Sequence, residues 1–228
     1  MEPAMKSKKA TPSPQAPVRK AEIVREYSLA GAERVGGVTH DGHRVWAATG
    51  ARLVAFDPES GEQTRVLDRA ADAGTAFDGK YLYQIAEARI EKIDPDTGDV
   101  VASIPAPGQG GDSGLTWAEG SLWVGQHRDR KIHQIDPETG AVIRSIESNR
   151  FVTGVTWVDG ELWHGTWEGG ESDIRRINPD SGAVLMRLEM PAGMVVSGLE
   201  SDGADLFYAG AGGSGKVRAV RRPKAARS

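Results

Sequence analysis

Not one of the 228 residues is cysteine, which removes disulfide bonds, thiolate metal sites and cysteine nucleophiles together. Long apolar runs are missing too, and none approaches the roughly 18 residues that a membrane-spanning helix needs. The start, Met1-Glu2-Pro3-Ala4-Met5-Lys6-Ser7-Lys8-Lys9, does not lead into the apolar core of about 7–15 residues that marks a secretory signal. The chain as written is therefore expected to be cytoplasmic, or extracytoplasmic if a signal has been trimmed. Catalytic signatures are equally scarce. There is no Gly-x-Ser-x-Gly elbow, no His-Glu-x-x-His, and no glycine-rich phosphate loop between strand and helix. Gly210-Ala211-Gly212-Gly213-Ser214-Gly215 resembles such a loop in composition, but it joins two strand-like segments and offers no helix N-terminus to a phosphate. Basic charge on the body is also lacking. Residues 1–20 hold five Lys or Arg and 221–228 hold four, which leaves 21–220 with 19 basic against 31 acidic residues. Nucleic acid is thereby excluded as a partner of the folded part.

What is present is a soluble globular composition, with 26% charged and 39% hydrophobic residues, enough for one domain with its own core. Glycine is abundant at 29 of 228 and follows no triplet period, which points to many turns between short strands. Residues 1–20 are rich in Lys, Pro, Ser and Ala without apolar periodicity. They read as a disordered basic tail, residues 221–228 as a second, and 21–220 as a single domain.

That domain repeats itself. Gly37-Val38-Thr39-His40-Asp41-Gly42 returns as Gly74-Thr75-Ala76-Phe77-Asp78-Gly79, and then in copies led by Gly114, Gly154 and Gly198. The leading glycines are 37, 40, 40 and 44 residues apart. A second signature, Asp57-Pro58-Glu59-Ser60-Gly61, recurs from Asp94, Asp136 and Asn178. Each unit carries four strand-like segments separated by Asp-Gly or Asp-Pro-x-Thr/Ser-Gly turns. Four antiparallel strands per ~40 residues is the pattern of a β-propeller blade. The fifth unit has only three such segments, and Glu22–Leu29 supplies a fourth from the other end of the chain. The fold expected is all-β, a five-bladed β-propeller of four-stranded antiparallel blades, its ring closed by the N-terminal strand beside the last blade.

Internal repeats separate scaffold from candidate site. A position alike in every blade serves the blade. Trp46, Tyr83, Trp123, Trp163 and Phe207, in the second strand of each unit, are all aromatic and read as packing between blades. The Asp-Pro turns lack the alternating acids of a calcium loop. The end of the second strand differs from blade to blade, presenting Gly50, Glu87, His127, Trp167 and Ala211. Antiparallel connectivity puts these ends on the same face as the loops entering each blade, which bring Arg34, Asp72, Asp112, Arg150, Phe151 and Met194. The expected site is this channel mouth, lined by Glu87, His127, Trp167, Asp112, Arg150 and Phe151 with Gln126 and Glu168 beside them. Trp167 is expected in the longest loop, as an exposed ligand platform. His164 and Glu168 share one side of a strand but lack a further ligand, so no metal site is expected there.

Three stretches resemble the plant- and bacterial-type glutaminyl-peptide cyclotransferases, or glutamine cyclotransferases. They are Val24-Arg25-Glu26-Tyr27, Leu82-Tyr83-Gln84, and Gly160-Glu161-Leu162-Trp163 through Trp167. The resemblance covers roughly residues 22–220 and implies a five-bladed propeller that turns N-terminal glutamine into pyroglutamate with release of ammonia. More distantly, the repeat resembles the streptogramin (virginiamycin B) lyases, larger propellers that use a metal with His and Glu. The chain departs from the cyclase pattern at Arg34-Val35-Gly36-Gly37-Val38, at Ala47-Ala48, and at Thr153-Gly154-Val155-Thr156, where that family carries other residues, acids among them. Cyclisation needs a proton shuttle, for which a carboxylic acid is suited. With those acids absent, the resemblance leaves Glu87, with His127, as the catalytic candidates.

The function expected is a propeller that binds a small molecule or a peptide terminus at the channel mouth on a cyclase-like framework. The alternatives are an active glutaminyl-peptide cyclotransferase, a metal-assisted lyase or lactone hydrolase, and a protein-interaction scaffold. No cofactor is expected, though Asp72 and Asp112 leave a divalent cation in the channel open. A monomer without membrane partner completes the expectation.

Overall fold

The computed structural model describes residues 16–224, and among them all regular secondary structure is β. Strands β1 (Val18–Lys20) and β2 (Ile23–Ser28) precede the repeats. Blade 1 comprises β3 (Gly37–His40), β4 (Val45–Ala48), β5 (Gly50–Phe56) and β6 (Gln63–Ala71). Blade 2 follows with β7 (Thr75–Phe77), β8 (Leu82–Ala86), β9 (Arg89–Ile93) and β10 (Val100–Pro105). Blade 3 holds β11 (Asp112–Ala118), β12 (Ser121–Gln126), β13 (Lys131–Ile135) and β14 (Val142–Glu147). Blade 4 holds β15 (Val152–Val158), β16 (Glu161–Glu168), β17 (Glu171–Ile177) and β18 (Val184–Glu189). In blade 5, β19 (Leu199–Ser201), β20 (Leu206–Gly210) and β21 (Lys216–Arg221) are completed by β2, antiparallel to β21. The chain is a five-bladed β-propeller, closed by its N-terminal strand.

Turn chemistry sets the blade shape. The Asp41 carboxylate accepts the N–H groups of His43 (3.0 Å) and Arg44 (2.7 Å) and the Trp46 indole N–H (2.7 Å). Asp78 treats Lys80, Tyr81 and the Tyr83 hydroxyl in the same way, so one acid closes the hairpin and anchors the aromatic residue. In the Asp-Pro turns the leading Asp caps the next two N–H groups, as Asp57 does for Glu59 (2.7 Å) and Ser60 (2.8 Å). Gly61 then turns back at φ 83°, where glycine alone is unstrained.

The leading glycines of the repeat answer to the channel. A Cβ on Gly74 would lie 2.4 Å from Leu115 N, and one on Gly154 would lie 2.2 Å from Leu199 N. Inner strands of neighbouring blades meet backbone to backbone around the axis, and a methyl group has no room between them. Aromatic side chains fill the spaces farther out. Trp123 stacks on Trp157 at 5.3 Å, Tyr83 on Trp117 at 5.5 Å, and Trp163 tilts against Phe207 at 5.0 Å.

Three expectations change. Residues 18–20 do not belong to a disordered tail: β1 pairs in parallel with β18, Val18 opposite Arg187 and Lys20 opposite Glu189, as a fifth strand on blade 4. All three side chains are exposed, so the pairing rests on main-chain hydrogen bonds that leave no apolar period to read. The rest of the two tails, 1–15 and 225–228, lies outside the described residues. Second, Trp167 and Glu168 end a strand and not a long loop. The turn is Gly169-Gly170 alone, with φ 65° and 82°, the two positive values a tight hairpin requires. Third, Phe207 is not the fifth member of the aromatic column. Trp46, Tyr83, Trp123 and Trp163 stand opposite Thr39, Ala76, Thr116 and Thr156, and the corresponding pair in blade 5 is Tyr208 opposite Glu200. The blade 5 hairpin closes between Asp202 and Leu206, whereas that of blade 1 closes between Asp41 and Arg44. One extra residue turns Phe207 back onto blade 4 and presents Tyr208 to blade 1.

Candidate functional site

The mouth is built where interblade loops meet the hairpins between second and third strands. Asp112 opens β11 directly opposite Gln126 at the end of β12. Its side chain is only 8% exposed. The Gly108 N–H reaches both carboxylate oxygens, at 3.0 and 2.9 Å. A Cβ on Gly108 would lie 2.6 Å from Asp112 Oδ1 and 2.7 Å from Gln126 Nε2, so the loop needs glycine to close over the acid. Burial pushes the Asp112 carboxyl up to about 6, against the lowering by the Gly108 N–H and the Gln126 amide, with Asp129 adding to the rise. Above it opens a cleft of 560 Å³ lined by Gly108, Gly110, Gly111, Asp112, His127, Arg128 and Asp129.

His127 is held on three sides. Its N–H donates to Gly111 O (3.2 Å), and its ring lies 4.9 Å from that of Phe151. Its Nδ1 is 3.2 Å from Val152 O. A carbonyl only accepts, so Nδ1 carries a proton, and in the neutral tautomer the lone pair falls on Nε2. The Arg130 guanidinium lies over the other partner, 4.7 Å from the Phe151 centroid, and pairs with Glu168. Arg150 donates to the main-chain oxygens of Glu168 (2.7 Å) and Glu171 (3.2 Å). It clamps the blade 4 hairpin, with Glu168 Oε2 3.8 Å from its Nε.

Asp112, Gln126 and His127 thus gather in one place, with Phe151 behind the imidazole. Arg150 and Glu168 are tied to each other and to Arg130 as the frame of the next hairpin. Trp167, 41% exposed, stands on that hairpin opposite Ser172 and does not line the Asp112 cleft. Glu87 is exposed in its turn at φ 53°, with its backbone N–H on Asp72 Oδ2 (3.2 Å). No hydrogen bond or ion pair joins its carboxylate to His127 or to the nearby Arg89 among the described residues, and Arg89 donates to Ser103. No cluster of three or more metal-ligating side chains occurs among the described residues. His164 is buried, with burial lowering it to about 4, and its Nδ1 faces Gly165 O (3.1 Å).

The sequence reading passed over Glu200. This buried carboxyl lies on the inner strand of blade 5, accepting hydroxyl hydrogens from Thr39 (3.1 Å) and Thr156. The signal was available, because the same inner position is Thr, Ala, Thr and Thr in the other four blades.

No protein-family model matches the chain, and no curated protein matches it. Solved structures do. Glutaminyl cyclase of Myxococcus xanthus superposes with a TM-score of 0.74 at 18% identity, over 91% of this chain and 98% of that one. A chain of the mitotic checkpoint complex reaches 0.56 at 12% identity, over 96% of this chain and 100% of its own. The WD40 repeats of RRP9 reach 0.54 at 10% identity, over 91% and 99%. The class is therefore a five-bladed propeller with the fold of a glutaminyl cyclase.

The fold contains no helix long and apolar enough to cross a membrane among the described residues.

Proposed function

We propose that this propeller binds a small polar ligand bearing a primary amine, such as a peptide N-terminus, at the Asp112–His127 cleft. The observation that carries the reading is the sign of the groups around the cleft. Two carboxyl groups, Asp112 and Asp129, stand there against one cation, Arg128, and the Nε2 of a neutral His127 is a further acceptor, so acceptors predominate, and an amine brings three donors. The reading is tested by calorimetric titration with a glutaminyl tripeptide and its N-acetylated form. Binding of the free peptide that acetylation and His127→Ala both weaken supports it. Equal affinity for the two peptides, or for neither, overturns it.

One observation favours a second reading, that of a glutaminyl-peptide cyclotransferase. A carboxyl poised near 6 suits proton transfer at neutral pH, and Asp112 shares its cleft with a free imidazole nitrogen. In that reaction the α-amine attacks the side-chain amide carbon, and the new C–N bond expels ammonia. His127 Nε2 would take the proton from the amine, and Asp112 would give one to the departing nitrogen. The roles fall to Asp112 and His127, with Glu87 standing outside. Ammonia release from a glutaminyl peptide, lost in Asp112→Asn and kept in Glu87→Gln, would establish it. Silence in the wild type leaves the binding reading alone.

A further inference from the structure

In the inner column of the propeller, four blades carry Thr39, Ala76, Thr116 and Thr156, each neutral, and the fifth carries Glu200. The exception falls in the blade assembled from both ends of the chain. Glu200 Oε2 accepts from the Thr39 hydroxyl of blade 1 (3.1 Å), and Oε1 accepts from the Thr156 hydroxyl of blade 4. The Ser201 N–H completes the set at 2.9 Å. One side chain therefore reaches across both seams of the ring-closing blade.

No cation among the described residues pairs with it. On β15 the strand packed against Glu200 bears no charged residue, and on β3 the one titratable group is His40. His40 stacks on Tyr208 at 5.8 Å, and burial lowers its proton affinity. On β20 the group opposite Glu200 is Tyr208, whose proton burial holds more tightly than usual. On β19 itself there is no other titratable residue, and Asp202 beyond its end is an acid. We propose that Glu200 is a proton-operated clasp that holds the last blade to both of its neighbours.

Protonated, the carboxyl donates its O–H to one threonine hydroxyl and accepts from the other, a neutral set of partners. When its proton leaves to solvent, a single negative charge remains in a buried site, with the dipoles of its hydrogen-bond donors but no paired ion to balance it. Burial raises this carboxyl to about 7, against the lowering by Thr156, Ser201 and Thr39. The folded state thus keeps a proton that the unfolded chain gives up near the ordinary glutamate value. The clasp is tight at mildly acidic pH and loosens as pH rises through neutrality. The consequence falls on β19, β20, β21 and β2, the blade that closes the ring.

Thermal unfolding of the full chain, wild type beside Glu200→Gln, from about pH 5.5 to about pH 8.5 tests the clasp. The amide keeps the shape and cannot ionise, so the difference between the two midpoints isolates this group while Asp112 and the histidines cancel. The wild type should lose roughly 5 °C or more against the variant across that range. Hydrogen exchange should quicken in 199–221 and 23–28 at the alkaline end in the wild type only. Should Glu200→Gln fail to fold, Glu200→Thr, which restores the residue of blades 1, 3 and 4, gives the same comparison. A midpoint difference that stays constant with pH, or exchange in blade 5 that does not change with pH beyond its intrinsic rate, overturns the proposal.

Discussion

Replacing Asp112 by Asn separates what the cleft needs from what the fold needs. The folded carboxyl titrates at about 6, against an ordinary value of 3.8. That gap corresponds to about 3 kcal/mol between the two protonation states. The carboxyl borders an open cleft, and solvent screening brings the cost of the charge to about 1–2 kcal/mol. The direction follows from the raised value. The folded protein binds a proton that the unfolded chain releases above about pH 4, so stability declines from there to about pH 6 and stays low beyond. Asparagine cannot ionise, and its Oδ1 still accepts the Gly108 N–H. Asp112→Asn is therefore expected to match or slightly trail the wild type at about pH 4. At pH 7.5 it should exceed the wild type by about 1–2 kcal/mol, roughly 2–8 °C in Tm. The same variant should lose its preference for a free over an acetylated peptide N-terminus. Urea unfolding at both pH values and calorimetric titration read the two effects. A variant less stable by the same margin at acidic and neutral pH would show that Asp112 is a structural carboxylate, and the argument from burial would fail.

Three further outcomes follow from the geometry. Gly154→Ala places a methyl group against Leu199 N, at 2.2 Å in the unrelaxed backbone. It should destabilise the ring by at least about 3 kcal/mol, whereas Gly160→Ala, in an open turn, should cost only about 1 kcal/mol of backbone strain; circular dichroism melts distinguish them. Deleting residues 1–20 removes β1 and the Lys20–Glu189 ion pair (2.7 Å). The blades should persist with a loss of about 1–2 kcal/mol and faster hydrogen exchange confined to β18. Trp167→Ala should leave stability within about 0.5 kcal/mol, because the indole is already exposed. It should also leave the affinity of a glutaminyl dipeptide unchanged in parallel titrations, because the indole does not line the Asp112 cleft.

The architecture was legible because its causes are local and recur. Gly74, Gly114, Gly154 and Gly198 mark where inner strands touch, and Asp57, Asp94, Asp136 and Asn178 mark the outer turns. Each motif repeats the same small piece of geometry at a fixed interval. The mouth was legible as a region: Asp112, Gln126 and His127 do meet. The division of labour within it was not, because it depends on partners distant in sequence. Arg150 proves to be a clamp on the backbone of Glu168 and Glu171, 18 and 21 residues away. Strand β1 left no trace, since a pairing made by main-chain groups and one exposed ion pair, Lys20–Glu189, selects no apolar pattern.

The fifth blade holds the most instructive failure. Counted from its leading glycine, Glu200 falls beside Thr39, Thr116 and Thr156. Counted from the Asp-Gly turn, Phe207 falls beside Trp46. Both alignments look sound, yet they cannot hold together, because Glu200 pairs with Tyr208 and not with Phe207. The side-chain period of a strand is two, so the one added residue in the Asp202–Leu206 hairpin exchanges the two faces of everything after it. Phe207 packs toward blade 4 and Tyr208 toward blade 1, and both positions stay aromatic, so composition conceals the exchange. The inner strand precedes the added residue and keeps its register, which leaves Glu200 in a column otherwise made of small neutral side chains. An ionisable residue held there against its burial cost, in the blade where the ring is closed, is the departure from the repeat that calls most clearly for a role.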